Sequence, residues 1–392
     1  MLTNTLPKGL ISRPKLKSHL HPKPSWDKAD HQEPNGREEV WRFSPIETLK
    51  PLFSAGECFT DWQINEQSGV NISLISQNEA IKASCDAPVD LVAWVAGQSR
   101  QATLVTVAEN TVLADPLIFD LTGQRGRIDT HLIIEVGANA QATIVLRFLG
   151  AGQLASKVEL HVGDGAQVNF VSLQDWNAGS LHGGQVSTLV GRDAQVRLIQ
   201  ASIGGDLIRQ VERATYAGQG GRLEQFGLYF VDGARHVEHR IFIDHTAANT
   251  YSHADYRGAL QGNGAHSVWI GDVLIRAAAK NIETYETNRN LVLTEGCQAD
   301  SVPNLEIETG EIKGAGHSSS TGRFDDEQLF YLRSRGIPED KARRLIVEGF
   351  FLDLIRRIRV PQVQSRLVEA LNHELMAVEG LAKEQILAQE DL

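Results

Sequence analysis

Val136-Gly-Ala-Asn-Ala-Gln141, Val162-Gly-Asp-Gly-Ala-Gln167, Val190-Gly-Arg-Asp-Ala-Gln195 and Ala217-Gly-Gln-Gly-Gly-Arg222 are four versions of one turn. Their second-position glycines, Gly137, Gly163, Gly191 and Gly218, recur at intervals of 26, 28 and 27 residues. Strand-like segments follow the first three turns: Thr143 to Phe148, Val168 to Leu173 and Val196 to Ala201, rich in β-branched and aromatic residues that partly alternate with polar ones. A unit this short cannot bury its apolar side alone, so the copies must stack. Each glycine is expected to supply the positive φ or tight corner that a β-branched residue resists. The reading is a mainly β chain whose core, residues 56–324, is a β-solenoid. A jelly roll also uses many short strands, but it needs no repeat of constant length.

Outward from the repeat, the pattern changes at both ends. From Met1 to about Gly36 the chain is dense in Pro, Lys and His without an apolar period, which predicts a mobile or loosely attached segment. Trp41, Phe43, Ile46, Leu49, Leu52 and Phe53 then form an apolar set suited to a short helical cap, completing an N-terminal region over residues 1–55. On the other side, Asp325, Asp326 and Glu327 mark a helix start and Gly336 its end, and Pro338 opens a second helix. A third helix carries Leu367, Val368, Leu371, Leu375 and Met376 after Pro361, so residues 325–392 read as a helical C-terminal region.

Composition narrows the function. Thirty-eight basic against 49 acidic residues give a net charge of -11 over 392 residues, which opposes nonspecific binding to nucleic acid or an anionic membrane. Three scattered cysteines, Cys58, Cys85 and Cys297, form no disulfide framework and contain no CxxC pair, which points to a cytoplasmic chain. Three thiolates fall short of the usual four around a cluster, so a cluster or metal here would need ligands from another subunit. The start of the chain lacks a secretory h-region, and Val89 to Gly97 is too short to span a bilayer.

The familiar catalytic motifs are missing. Gly-Lys does not occur, which removes the phosphate-binding GxxxxGK[ST] loop, and GxSxG and HExxH are absent too. His236, His239, His245 and His253 fall in one strand-rich stretch. Strand alternation puts His239 and His245 on one face and Glu238 and Asp244 on the other, so they read as hydrogen-bonded solenoid residues rather than one metal site. His317, in IKGAGHSSSTGRF, has small neighbours that let another backbone approach, a better setting for a ligand. Cys297 reads as a small buried hydrophobe. The enzyme alternative, a carbohydrate-active β-helix protein, needs two carboxylates facing one cleft, and Glu283 and Glu286 lack matching strand parity.

Residues 286–337, ETNRNLVLTEGCQADSVPNLEIETGEIKGAGHSSSTGRFDDEQLFYLRSRGI, resemble the signature of the SufB/SufD family of iron–sulfur cluster assembly proteins, above all in TNRNL, PNLEI and DEQLFYLRSRGI. FIDH, YSHADYRGAL and the earlier EEVWRF are further family features, and the strong match runs from about Phe242 to Arg359. The resemblance implies a right-handed parallel β-helix with helical N- and C-terminal regions. It also implies a complex in which SufB-like and SufD-like sister chains pair through their β-helices. Each would bind a SufC-like ATPase through its C-terminal helices, here about Asp325 to Ile358, with Phe330, Arg333, Arg335 and Phe350 as docking residues. ATP-driven dimerisation of the ATPases would then open the sister interface.

Within the family the SufD type is implied. SufB-type chains carry a functional cysteine where this sequence has Asn288, and a glutamate where it has Ser318. Neither an amide nor a hydroxyl replaces a thiolate toward persulfide sulfur or soft iron. SufD-type chains contribute a histidine facing the sister's cysteine, which maps onto His317, while Gly314-Ala315-Gly316 stands where Cys-Ser often precedes that histidine. Asn288 and Ser318 are assigned to the sister contact. Since Asn288 and His317 lie 29 residues apart, about one coil, they are expected one strand spacing apart in a shared patch. These inferences imply a non-catalytic subunit that holds no cofactor stably when isolated, with iron or a nascent cluster at the sister interface; homodimerisation in the absence of partners stays open at the level of sequence.

Overall fold

The computed structural model describes residues 23–56 and 62–373. Residues 1–22 of the Pro-rich segment, Cys58, and Leu375 and Met376 of the third helix lie outside the described residues. Over residues 23–36, expected to be loose, the chain is instead anchored: the carbonyl of Trp26 accepts from Trp94 Nε1 at 3.0 Å, and Lys157 Nζ stands 5.4 Å from the Trp26 ring. The reason is chemical: an indole offers a buried ammonium both apolar contact and its π face.

The chain enters through α1 (Ile46–Leu49), β1 (Gln63–Ile64), β2 (Val70–Ser76), α2 (Gln77–Ala83), α3 (Leu91–Gly97) and β3 (Gln101–Val107). Two long strands follow, β4 (Leu117–Val136) and β5 (Gln141–Val162), each running through both sides of one coil. From there every coil contributes a pair: β6 (Gln167–Trp176) and β7 (Leu181–Val190), β8 (Gln195–Ser202) and β9 (Leu207–Tyr216), then β10 (Arg222–Asp232) and β11 (His236–His245). β12 (Tyr251–Gln261) and β13 (His266–Ile275), then β14 (Glu283–Val292) and β15 (Gln298–Ile307), continue the pattern, and β16 (Gly314–Arg323) closes it. All pairings from β3 onward along the stack are parallel, in the order β15-β13-β11-β9-β7-β5-β6-β8-β10-β12-β14-β16, giving a solenoid of about eight turns. The segments predicted as strands fall in β5, β6 and β8, and the parallel ladder excludes a jelly roll, whose sheets are antiparallel.

Of the two roles expected for the turn glycines, the tight corner is theirs and the positive φ is not. Gly137, Gly163 and Gly191 do not take positive φ; that conformation falls two residues later, at Asn139, Gly165 and Asp193, with Asn110, Gly220, Asn249 and Asn281 continuing the row. Each of these residues donates its N–H to a carbonyl of the next coil, as from Asn139 to Asp164 at 2.9 Å and from Asp193 to Gln219 at 3.0 Å. Asn and Asp tolerate the left-handed region, which is why glycine is not needed there. At the repeated glycines the requirement is space: a Cβ on Gly163 would lie 2.7 Å from the Ala138 nitrogen, and one on Gly191 would lie 2.6 Å from the Val162 oxygen.

Alternation divides each strand. Val168 and Phe170 of β6 point into the lumen beside Leu146, Leu198 and Leu223, while Val171 and Leu173 face outward. That outer face is covered by α5 (Glu339–Arg357) and the helical residues 361–373, through Val347, Phe351, Leu354, Ile355 and Leu367. Before them α4 (Asp326–Ser334) is capped by Asp325, whose carboxylate accepts from the N–H groups of Glu327 and Gln328, and Gly336 at φ 83 ends it. On the opposite side Trp41, Leu49 and Leu52 pack with Val92 and Val95 over Ala155, Leu181 and Leu207. Among the described residues no helix is long and apolar enough to cross a membrane.

Candidate functional site at the open end of the solenoid

Among the described residues β15 and β16 each have a single neighbouring strand, so the last coil carries two free edges. Along β12 and β14 the lumen-facing residues are Ala254, Tyr256, Glu286, Asn288 and Asn290. Register puts His317 beside Glu286, Ser319 beside Asn288 and Thr321 beside Asn290, so His317 faces the lumen at its mouth. With no coil above it, its side chain is 43% exposed. Glu286, one coil deeper, is only 2% exposed, and its Oε1 lies 4.0 Å from His317 Nδ1.

Neither oxygen of Glu286 has a hydrogen-bond partner within the protein, and the nearby indole N–H of Trp269 has none either. Burial, with the charge of Asp272 added, pushes the Glu286 carboxyl up to about 8. Asp272 is itself pushed up to about 6 by burial, against the hydrogen bond that Asn304 Nδ2 donates at 2.7 Å. Gly271 makes the space for Glu286: a Cβ there would stand 2.5 Å from Oε2.

The other residues predicted from sequence are placed as follows. Asn288 is adjacent to the His317 strand and on the same face, but it is fully buried rather than at a surface patch. Its amide donates to Tyr229 Oη at 2.9 Å and to the Tyr256 carbonyl at 3.3 Å, and its oxygen accepts from Asn290 at 2.8 Å. The expected pairing with His317 misses by two positions because the late coils are longer: Asn288 pairs with Ser319, 31 residues on, whereas Gln195 pairs with Arg222, 27 on. Ser318 points to the opposite face, where Thr287 Oγ1 and Tyr285 Oη lie at 3.2 and 3.4 Å. Phe330 is 73% exposed on α4, next to the exposed Tyr331. Arg335 lies over the Tyr331 ring and Arg333 pairs with Glu339 at 3.2 Å. Phe350 is half-buried against Phe351, and its carbonyl accepts from Arg257 at 2.9 Å. The structure thus brings His317 and Glu286 together and sets the four helical residues apart from them.

The remaining polar clusters serve the fold. His239 is fully buried between Glu212, at 2.7 Å, and Ser202, at 3.1 Å, while His245 bonds Thr250 and Ser252. Glu238 faces the other way, toward Arg209, Arg240 and Ser44, as alternation required. Cys297 is half-buried and donates to the Gly262 carbonyl. Glu283 is exposed on the face of β14 opposite to Glu286, so no carboxylate pair faces a shared cleft there. Cys85, Glu159 and His161 bring donor atoms within 4.8 Å of one another. There, however, burial of Glu159 is outweighed by the Lys157 ammonium and the histidines, which hold its carboxyl well below the usual range, and Lys157 Nζ already sits 2.6 Å from it. Burial pushes the Cys85 thiol up.

Glu286 was weighed from the sequence only against Glu283 as a carboxylate pair; its place beside His317 escaped that reading because it depends on register. Only the 31-residue offset between β14 and β16 shows that it shares a face with His317.

Comparison with known proteins identifies the family. The family described as SUF system FeS cluster assembly, SufBD core domain, matches residues 119–350, from β4 into α5. An iron–sulfur cluster assembly SufBD family protein of Mycobacterium tuberculosis is 43% identical over 371 residues, covering 92% of this chain and 94% of its own length. The iron–sulfur cluster assembly protein SufD of Escherichia coli is 23% identical over 246 residues, covering 62% of this chain and 58% of its own. SufD of Bacillus subtilis is 33% identical over 111 residues, 28% of this chain and 25% of its own. With its coil repeat, its parallel ladder and a family match over more than half its length, the chain belongs to the SufBD family of iron–sulfur cluster assembly proteins.

Proposed function

We propose that this chain is the SufD-type, non-catalytic subunit of a cytoplasmic assembly scaffold, pairing with a SufB-like sister through the open end of the solenoid and with a SufC-like ATPase through α4 and α5. The observation that carries the reading is the half-exposed, lumen-facing His317 on a strand that is a free edge among the described residues, at the end of a stack with an apolar core. Two relatives that bear the SufD name share part of this sequence, which supports the type. ATP hydrolysis falls to the partner, because the chain contains no Gly-Lys and hence no phosphate-binding loop. Iron or a nascent cluster is cargo at the sister seam. An imidazole and an unpartnered carboxylate suit ferrous iron, whereas the thiolate that sulfide chemistry requires must come from the sister.

Exposed Phe330 and Tyr331 give the ATPase an aromatic foothold of the kind that dominates protein interfaces. Without partners, the free edges of β15 and β16 would pair with those of a second copy.

The test is co-expression with SufB-like and SufC-like partners, followed by iron and acid-labile sulfide assays on the recovered complex. His317→Ala is expected to leave the complex assembled and to lower its cluster content several-fold. Wild-type cluster content in that variant, or failure of the wild-type chain to associate with either partner, would overturn the proposal.

A further inference from the structure

Buried carboxylates in this protein are paired with care, and Glu286 is the exception. Glu212 accepts from Gln225 and Tyr256 and bonds His239; Glu159 is held by Lys157, His131 and Ser84. Glu286 is buried as deeply as these, yet among the described residues it is the one carboxylate with both oxygens enclosed and unpartnered. An ionised carboxylate left so would be strongly disfavoured, and a neutral acid would still lack an acceptor for its O–H. At the mouth of the lumen the half-exposed His317 imidazole stands 4.0 Å from its Oε1.

We propose that Glu286 and His317 together form a divalent-cation site of borderline hardness, for Fe2+ in the cell and Co2+, Mn2+ or Zn2+ as surrogates. This deepens the scaffold reading above and rests on it for the identity of the cargo. The geometry suits a cation: metal to nitrogen and metal to carboxylate distances of about 2.0–2.2 Å span a gap of up to roughly 4.2 Å, and rotation of the exposed imidazole closes it to a bent arrangement. The donor set, one oxygen and one imidazole nitrogen, favours first-row divalent ions over magnesium or a soft monovalent ion. The other coordination positions face the mouth, where water or a donor from a sister chain completes the shell. Glu286 is thus the inner ligand and His317 the movable outer one. Such a division lets an ion be taken up and passed on at the seam.

The experiment uses the isolated full chain and Co2+ alone, under anaerobic conditions, read by visible absorption and by equilibrium dialysis. Wild type is expected to bind one Co2+ at this site with an oxygen and nitrogen ligand spectrum free of thiolate charge transfer. Glu286→Gln and His317→Asn should each weaken binding roughly tenfold or more. Cys85→Ser should not. His317 is half-exposed, so its variant folds even if the buried substitution does not, and circular dichroism on both separates loss of binding from loss of fold. Unchanged Co2+ affinity in a folded Glu286→Gln chain overturns the proposal, as does a thiolate charge-transfer band that disappears in Cys85→Ser. Partner pull-down with Glu286→Gln is a separate readout: if Co2+ binding is unaffected while both partners are still recovered, the carboxylate ligand fails and the scaffold reading stands.

Discussion

His182 shows how tightly one side chain can be specified. It is fully buried, its Nδ1 lies 3.1 Å from Trp176 Nε1, and its Nε2 lies 2.9 Å from Ser156 Oγ. An indole N–H can only donate, so Nδ1 must be the acceptor and Nε2 must carry the proton. Protonating Nδ1 would break that bond and bury a charge, and burial holds the ring down to about 3. The unfolded chain, with an ordinary histidine, binds its proton first as pH falls. Stability from this site is therefore full above about pH 6.5 and is lost toward pH 3 at up to about 1.4 kcal/mol per pH unit. Comparing urea denaturation of wild type and His182→Gln isolates the effect: their difference should be flat above pH 6.5 and should tilt against wild type below it. A difference independent of pH would show the imidazole to be less enclosed than described. At this scale the sequence was informative only where chemistry alone decides. His317 stood out by its small neighbours, whereas the burial of Glu286 beside it could not be read, because the same carboxylate one position along β14 would point into solvent like Glu283.

At the scale of the turn and strand, legibility follows from which constraint the sequence had to spell out. Coils that stack backbone on backbone need glycine, and that requirement wrote the visible repeat from Gly137 to Gly218. Later turns, such as Thr246-Ala-Ala-Asn-Thr250, meet the positive φ with Asn249 and need no glycine, so the repeat fades and the coil length drifts unseen. Two substitutions separate these demands. Gly163→Ala drives a Cβ into the Ala138 backbone and should cost about 1–3 kcal/mol. Gly165→Asn puts in the residue type that Asn139 shows in the coil before, meeting only the movable end of the Asn139 side chain, and should cost roughly a third as much or less. Equal losses in chemical denaturation would mean that φ, not clearance, sets the turn.

For the molecule as a whole, the C-terminal helices divide by exposure: α5 packs on the sheet, while α4 presents Phe330 outward, where the proposed ATPase would dock. Phe351 is fully buried where α5 lies over Phe226 and Val171, so Phe351→Ala should cost about 3–5 kcal/mol of folding stability. Phe330, exposed on α4, should cost under about 0.5 kcal/mol when changed to Ala, yet weaken recovery of the ATPase in a pull-down. A folding loss at Phe330 equal to that at Phe351 would remove the distinction. Helix boundaries were readable at this scale because Asp325, Gly336 and Pro338 punctuate them. The helices' seat on the outer sheet face was not, since outward Val171 and Leu173 look from sequence like any other strand residues.

The final coil, uncapped among the described residues, also makes abundance matter. A stack that stops without a terminator offers every surplus copy the same sticky rung, so a cell that makes more of this chain than of whatever covers it gathers mismatched oligomers in place of idle monomers. If the proposed sister covers that rung, balanced synthesis of the two chains is a consequence of the backbone alone.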